Sequence, residues 1–142
     1  MSDKSPGAMD YPIAETQPDR VVGARGRSIN DLTIEMVVDG DVTMEDLRIT
    51  PQALLDQASI ARSVGRTMLA ANFERAAEMT RVPQEEVVRV YELLRPGRAA
   101  SRDVLMQAAM NLRDTYGAEK LARFVEEAAD VYERRGLYRQ RF

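Results

Sequence analysis

Residues 50–79 read TPQALLDQASIARSVGRTMLAANFERAAEM, and this stretch decides the fold. Thr50 offers a hydroxyl cap, and Pro51 follows at the first helical position, where its missing N–H costs nothing. No proline interrupts until Pro83. Leu54, Ala58, Ala61, Gly65 and Met68 recur at helical spacing, and Leu69, Phe73, Ala76 and Ala77 continue the apolar face with a slight rotation. The expectation is one long helix, with Ala71 as the place where it could break. The small residues Ala58, Ala61 and Gly65 let another helix approach closely, which in a soluble protein reads first as core packing.

Downstream, the punctuation repeats. Pro83 opens a helix with Gln84, Glu85 and Glu86 in its first turn, where acidic residues are favoured, and Val87, Val88, Tyr91 and Leu94 are expected inward until Leu94-Arg95-Pro96-Gly97 stops it. Ser101 is placed to cap a helix bearing Leu105, Ala108, Ala109, Leu112 and Tyr116 on one face, ended by Gly117. A last helix carries Leu121, Phe124, Val125, Ala128, Val131 and Tyr132 and closes at Gly136. Upstream, Asn30 is read as the cap of a short helix with Leu32, Ile34, Val37 and Val38, ended by Gly40. Thr43 and Asp46 have capping-box spacing for one more turn through Leu47. The expected class is all-α, a helical bundle with an extended, irregular N-terminal arm. Residues 1–9 are expected as a disordered tail, 10–29 as an extended arm docked on a partner, and 30–142 as a single helical domain. The arm holds Pro6, Pro12 and Pro18 just before and within it and shows no period, and Asp10-Tyr11-Pro12-Ile13 is its most apolar patch.

The chemistry is bounded by an absence: 142 residues contain no His and no Cys. Imidazole is the usual general base and metal ligand near neutral pH, and thiolate the usual soft ligand and nucleophile. A di-iron bundle built on Glu-x-x-His is excluded outright. Glu85/Glu86 and Glu126/Glu127 diverge by about 100° on a helix, so neither pair converges on one point. Glu74 and Glu78 share a face, but Arg75 and Arg81 lie close enough to read the group as a solvated charge network. No phosphate loop, dinucleotide fingerprint, calcium loop or nucleophile elbow is present. Tyr91, Tyr116, Tyr132 and Tyr138 read as packing residues with satisfied hydroxyls. No catalytic, cofactor-binding or metal-binding residue is expected in the chain.

Charge is unevenly spread. Residues 1–50 hold five basic and ten acidic side chains, while 51–142 hold fifteen and thirteen, which together give the net −3. Nucleic-acid binding has little support, because most Arg residues are interleaved with acids along helices. The tail, with Arg134, Arg135, Arg139 and Arg141 around Leu137, Tyr138 and Phe142, reads as a solvated helix end or as a segment docking on an acidic partner. No apolar run approaches the roughly 20 residues that cross a bilayer, and MSDKSPGAMD lacks a signal-peptide core. The expected setting is the cytoplasm, with no membrane partner.

Taken in order, Asp10-Tyr11-Pro12, RITPQALLDQASIA (48–61), NFERAAEM (72–79), VPQEEVVRVYELLRPGR (82–98) and ARFVEEAADVYERRGL (122–137) resemble the small (gamma) subunit of the adenosylcobalamin-dependent diol and glycerol dehydratases. The resemblance covers nearly everything from residue 10 to the end, and the collinear order of the blocks makes it specific. It departs from the pattern at Glu126, where the family often has a basic residue, and is loose around 106–116. The resemblance implies a dimer of heterotrimers with large (alpha) and medium (beta) subunits, in which the large subunit's barrel holds the substrate and adenosylcobalamin lies between the other two chains. The reaction implied is radical dehydration of a 1,2-diol or glycerol to an aldehyde. This chain would then be a helical brace that binds no cofactor, with Tyr11, Pro12, Ile13, Leu32, Leu137 and Tyr138 as the expected partner interface. The family often works inside bacterial microcompartments, but the first nine residues are too short and polar for an encapsulating helix, so that setting stays open. The rival reading is a stand-alone helical adaptor or scaffold.

Overall fold

The computed structural model describes residues 4–138; Arg139, Arg141 and Phe142 of the basic tail lie outside the described residues. The chain is all-α, with no strand among the described residues and one isolated antiparallel bridge between Val22 and Ser28. Its helices are α1 (Ile13–Thr16), α2 (Ile34–Val38), α3 (Met44–Leu47), α4 (Pro51–Ser63), α5 (Thr67–Met79), α6 (Gln84–Leu93), α7 (Arg102–Tyr116) and α8 (Glu119–Arg135). They fall into two compact units, residues 1–77 and 78–142, a division that cuts across the expected partition at residue 30.

In the first unit, local signals act largely as the sequence suggests. The Thr50 hydroxyl accepts from the Ala53 amide at 3.2 Å, and Pro51 opens α4. Thr43 donates its amide to the Asp46 carboxylate at 2.9 Å, which fixes the single turn of α3. Two expectations are corrected. The long helix breaks at Gly65 rather than Ala71: Gly65 has φ +76°, a left-handed conformation that glycine adopts without steric cost, and it separates α4 from α5. Asn30 is not the cap of α2. Ser28 caps a 3-10 turn at Ile29–Asp31, and the Thr33 hydroxyl caps α2 by accepting from the Met36 amide at 3.3 Å. Ala58, Ala61 and Ala70 are buried where α4 and α5 pack together with Phe73.

The arm is neither free nor extended. It is built of short turns, including α1 and 3-10 turns at Ala8–Asp10 and Pro18–Arg20, and it lies back along α4. Ser59 Oγ donates to the Pro6 carbonyl at 2.6 Å, although 53 residues separate them. Arg20 grips Asp56 with Nη2 at 3.1 Å and Nε at 3.4 Å, and Gln52 adds a bond to the same carboxylate at 2.8 Å. Asp56 is 4% exposed, so its charge is compensated where water is excluded. The physical reason for the return is that Pro6 and Ile13 are buried against this chain's own helix, and apolar burial there outweighs the backbone's freedom.

The second unit is built on the α7–α8 hairpin. Leu105, Leu112 and Val125 are its largest fully enclosed side chains, joined by Ala108, Ala109, Ala122 and Ala129. Gly117 at φ +62° turns the chain between the helices, and its amide bonds to the Arg113 carbonyl at 3.0 Å. α6 adds Val90, with Val87, Leu93 and Leu94 partly covered. Of the four α6 residues expected inward, Val87 and Leu94 are partly buried while Val88 and Tyr91 are exposed, because the buried stripe runs through Val87, Val90 and Leu94. On the outside of the hairpin, Arg113 bridges Glu119 at 2.6 Å and Glu126 at 2.8 and 3.0 Å. The hydrogen bonds to these two carboxylates raise the Arg113 pKa, and Arg113 in turn lowers that of Glu119.

Candidate surface for assembly

The described residues gather no cluster of three or more Asp and Glu suited to a metal, and none of their helices is long and apolar enough to cross a membrane. The feature that stands out is uncovered apolar surface in the first unit. Val22, Ile29, Leu32, Leu47 and Ile49 line one groove, floored by Gly23 and Asp46. Leu47 and Ile49 are more than half exposed. Beyond Leu32 the chain enters α2, where Ile34 is 79% and Val38 78% exposed, and α3 adds Met44 at 75%. The burial of large aliphatic side chains is the main source of folding energy, so this many left in water on one short stretch calls for a cover.

Two features hold the groove in shape. Gly23 passes so close to α3 that a Cβ there would lie 2.6 Å from the Asp46 carbonyl oxygen. The Asp46 carboxylate is enclosed between Arg25, whose Nη1 is 2.9 Å from Oδ2, and Arg27, whose Nε is 3.7 Å from Oδ1. The Thr43 amide bond, followed by the charges of Arg25 and Arg27, lowers the Asp46 pKa against the opposing effect of burial.

The residues expected at an interface separate into three groups. Tyr11, 62% exposed, and the exposed Pro12 stand at the surface beside α4, where Tyr11 lines an apolar groove with Ile60, Val64, Leu69 and Phe73. The Tyr11–Pro12 peptide is cis. Leu32 is half-buried in the groove described above. Ile13, only 7% exposed, packs into its own chain. Leu137 and Tyr138 are likewise engaged internally: the Leu137 carbonyl accepts from the Gly97 amide at 2.8 Å, and the Tyr138 hydroxyl donates to the Ala129 carbonyl at 2.8 Å while its ring meets Tyr132 edge-on. Burial raises the Tyr138 pKa. The Tyr132 hydroxyl donates to the Leu94 carbonyl, so both tyrosines pin the end of α8 to its own unit.

Of the acids tested as catalytic pairs, Glu74 and Glu78 have structural partners. Glu74 pairs with Arg62 across α4 and α5. Glu78 is not a member of a solvated network: its carboxylate accepts from the Lys120 amide at 3.1 Å and the Leu121 amide at 2.8 Å, capping α8. Ala118 occupies the N-cap position of α8 and has no side-chain acceptor, which explains why a distant residue serves. No local signal reveals this pairing, because more than forty residues separate the partners.

A helical chain that folds around small cores yet leaves an apolar groove uncovered offers surface for another protein to cover. A family model described as the dehydratase small subunit matches residues 7–139, and the chain belongs to that family. It is 46% identical over 123 residues to the propanediol dehydratase small subunit of Citrobacter freundii, covering 87% of this chain and 71% of that protein. It is 43% identical over 129 residues to the protein of the same name from Salmonella typhimurium strain LT2, covering 91% of this chain and 74% of that one. As a dehydratase small subunit, it works with other dehydratase subunits.

Proposed function

We propose that this chain is the noncatalytic small subunit of a coenzyme B12-dependent diol or glycerol dehydratase, bracing the large subunit within a dimer of heterotrimers that includes a medium subunit. The observation that carries this reading is the apolar groove through Leu32, Leu47 and Ile49, in a chain whose relatives are named propanediol dehydratase small subunits. The substrate is a 1,2-diol, with propane-1,2-diol favoured by the relatives' names and glycerol as the alternative. When bound in the holoenzyme, adenosylcobalamin supplies the radical chemistry. The lack of any His or Cys here supports assigning that cofactor to the other subunits.

The contribution of this chain is assembly. Covering the groove and the exposed Tyr11 removes apolar surface from water, and any partner that binds only the folded subunit stabilises it by mass action. The reading places the protein in the cytoplasm, where a microcompartment is a compatible setting. Co-expression with the large and medium subunits encoded nearby, purification through a tag on this chain, and assay of aldehyde formation from both diols with and without adenosylcobalamin test it. Co-purification with cobalamin-dependent activity is expected. A folded chain that captures neither subunit overturns the reading and favours the stand-alone adaptor.

A further inference from the structure

α2 buries little within its own chain. It is five residues long and contains no buried residue. Isolated helices shorter than about 12–15 residues are marginal in water, and short helices in proteins persist by burying an apolar face. Successive residues turn by about 100°, so Ile34, Val37 and Val38 share one face while Met36 points the other way. The burial follows that geometry: Met36 is half-buried, and Ile34, Val37 and Val38 are 79%, 54% and 78% exposed. The face that should stabilise α2 is the one presented to solvent.

The charge around this ridge has one sign. Residues 28–47 contain six acidic side chains and no basic one. Asp46 is taken by Arg25 and Arg27, and Glu45 by Arg48. Asp31, Glu35, Asp39 and Asp41 are exposed and have no ion-pair partner among the described residues. An apolar ridge with an unpaired acidic rim is complementary to an apolar patch rimmed by Lys and Arg. It is mismatched to an anionic lipid surface or to nucleic acid, and two copies meeting ridge to ridge would set these carboxylates against one another.

Resting on the assignment as a dehydratase small subunit, we infer that the α2 ridge docks on a basic-rimmed apolar patch of a partner subunit of the same enzyme. Apolar contact through Ile34 and Val38 supplies the affinity, and the rim of Glu35 and Asp39 sets orientation and association rate. α2 is thereby completed by the partner.

The test uses the co-expressed complex captured through a tag on this chain. With wild type, the partner subunits co-purify, and α2 amides exchange more slowly in the complex than in the isolated chain. The double variant Ile34→Asp/Val38→Asp reduces recovery of the partner by at least about tenfold, equivalent to the loss of about 1.4 kcal/mol. Because both side chains are solvent-exposed, circular dichroism of the isolated variant matches wild type. The charge-reversal pair Glu35→Lys/Asp39→Lys slows association several-fold at low salt, and the difference narrows as salt screens the rim. Wild-type co-purification with undiminished recovery of the aspartate variant overturns the ridge inference and leaves the subunit assignment intact. Failure of wild type to capture any dehydratase subunit overturns both. Concentration-dependent self-association abolished by the aspartate variant, or binding of the wild-type chain to anionic vesicles, also overturns it by naming a different occupant.

Discussion

Replacing Glu78 by Ala isolates a single long-range device, the capping of α8 by a residue on another helix. Both carboxylate oxygens receive an α8 amide, at 3.1 and 2.8 Å, and Ala118 at the N-cap cannot substitute. Loss of a capping side chain costs about 0.5–2 kcal/mol, and removing a negative charge from a helix N-terminus adds about 0.3–1 kcal/mol, so Glu78→Ala should destabilise the second unit by about 0.8–3 kcal/mol. Glu78→Gln keeps an amide oxygen that can accept one of the two bonds and gives up the charge, which predicts roughly half the loss. Denaturant titration followed by circular dichroism measures the global effect. Amide exchange at Lys120 and Leu121 measures the local one, expected to accelerate by about four- to 140-fold if opening of the helix start governs exchange. Glu127→Ala, at an exposed position on the same helix, serves as the comparison. Unchanged exchange at both amides together with an unchanged midpoint for Glu78→Ala would refute the capping argument, whatever happened elsewhere in the chain.

Other substitutions probe the two cores and the groove. Leu112→Ala, at a side chain 1% exposed in the α7–α8 core, should cost about 2–5 kcal/mol in denaturant unfolding, whereas Met110→Ala at an exposed site of the same helix should cost little. Gly23→Ala should lower the thermal midpoint and perturb the Val22–Ser28 bridge in solution spectra, since the added carbon sits 2.6 Å from the Asp46 carbonyl oxygen. Acid should loosen the groove through Asp46. Its folded pKa lies below the unfolded value, so its stabilisation is complete above the ordinary carboxylate range and is lost as pH falls through the depressed folded value. An Asp46→Asn variant should therefore show less of this acid-dependent loss than wild type when amide exchange of residues 42–48 is followed against pH.

The contrast between Thr50 and Glu78 shows what is legible in the sequence. Thr50-Pro51 and Thr43/Asp46 act within a few residues, and both form as their spacing indicates. Gly65 deceived because it falls at helical spacing with Ala61 and Met68; a residue that ends a helix in the left-handed region can occupy the same register as one that continues it. On α6, Val87, Val88 and Val90 offer an apolar residue to either side, and only packing into the core of the second unit chooses Val87 and Val90 over Val88. Leu32 lines a groove because short connecting segments have little of their own chain to bury it. Ile13, Leu137 and Tyr138 were equally apolar and terminal, but α4 covers the first and the α8 tyrosine contacts hold the others, which depends on tertiary neighbours no local pattern encodes.

The arm's return along α4 also fixes an order of events during synthesis. Pro6 leaves the ribosome before its hydrogen-bond partner Ser59, which is 53 residues behind it, and Arg20 must await Asp56. At roughly 5–20 residues per second, that separation corresponds to about 3–10 s of elongation. During that interval Ile13 has no surface to bury against, and loop closure over such a distance is favourable only once α4 presents several contacts together. The arm, made before α4, therefore settles only after α4 has formed.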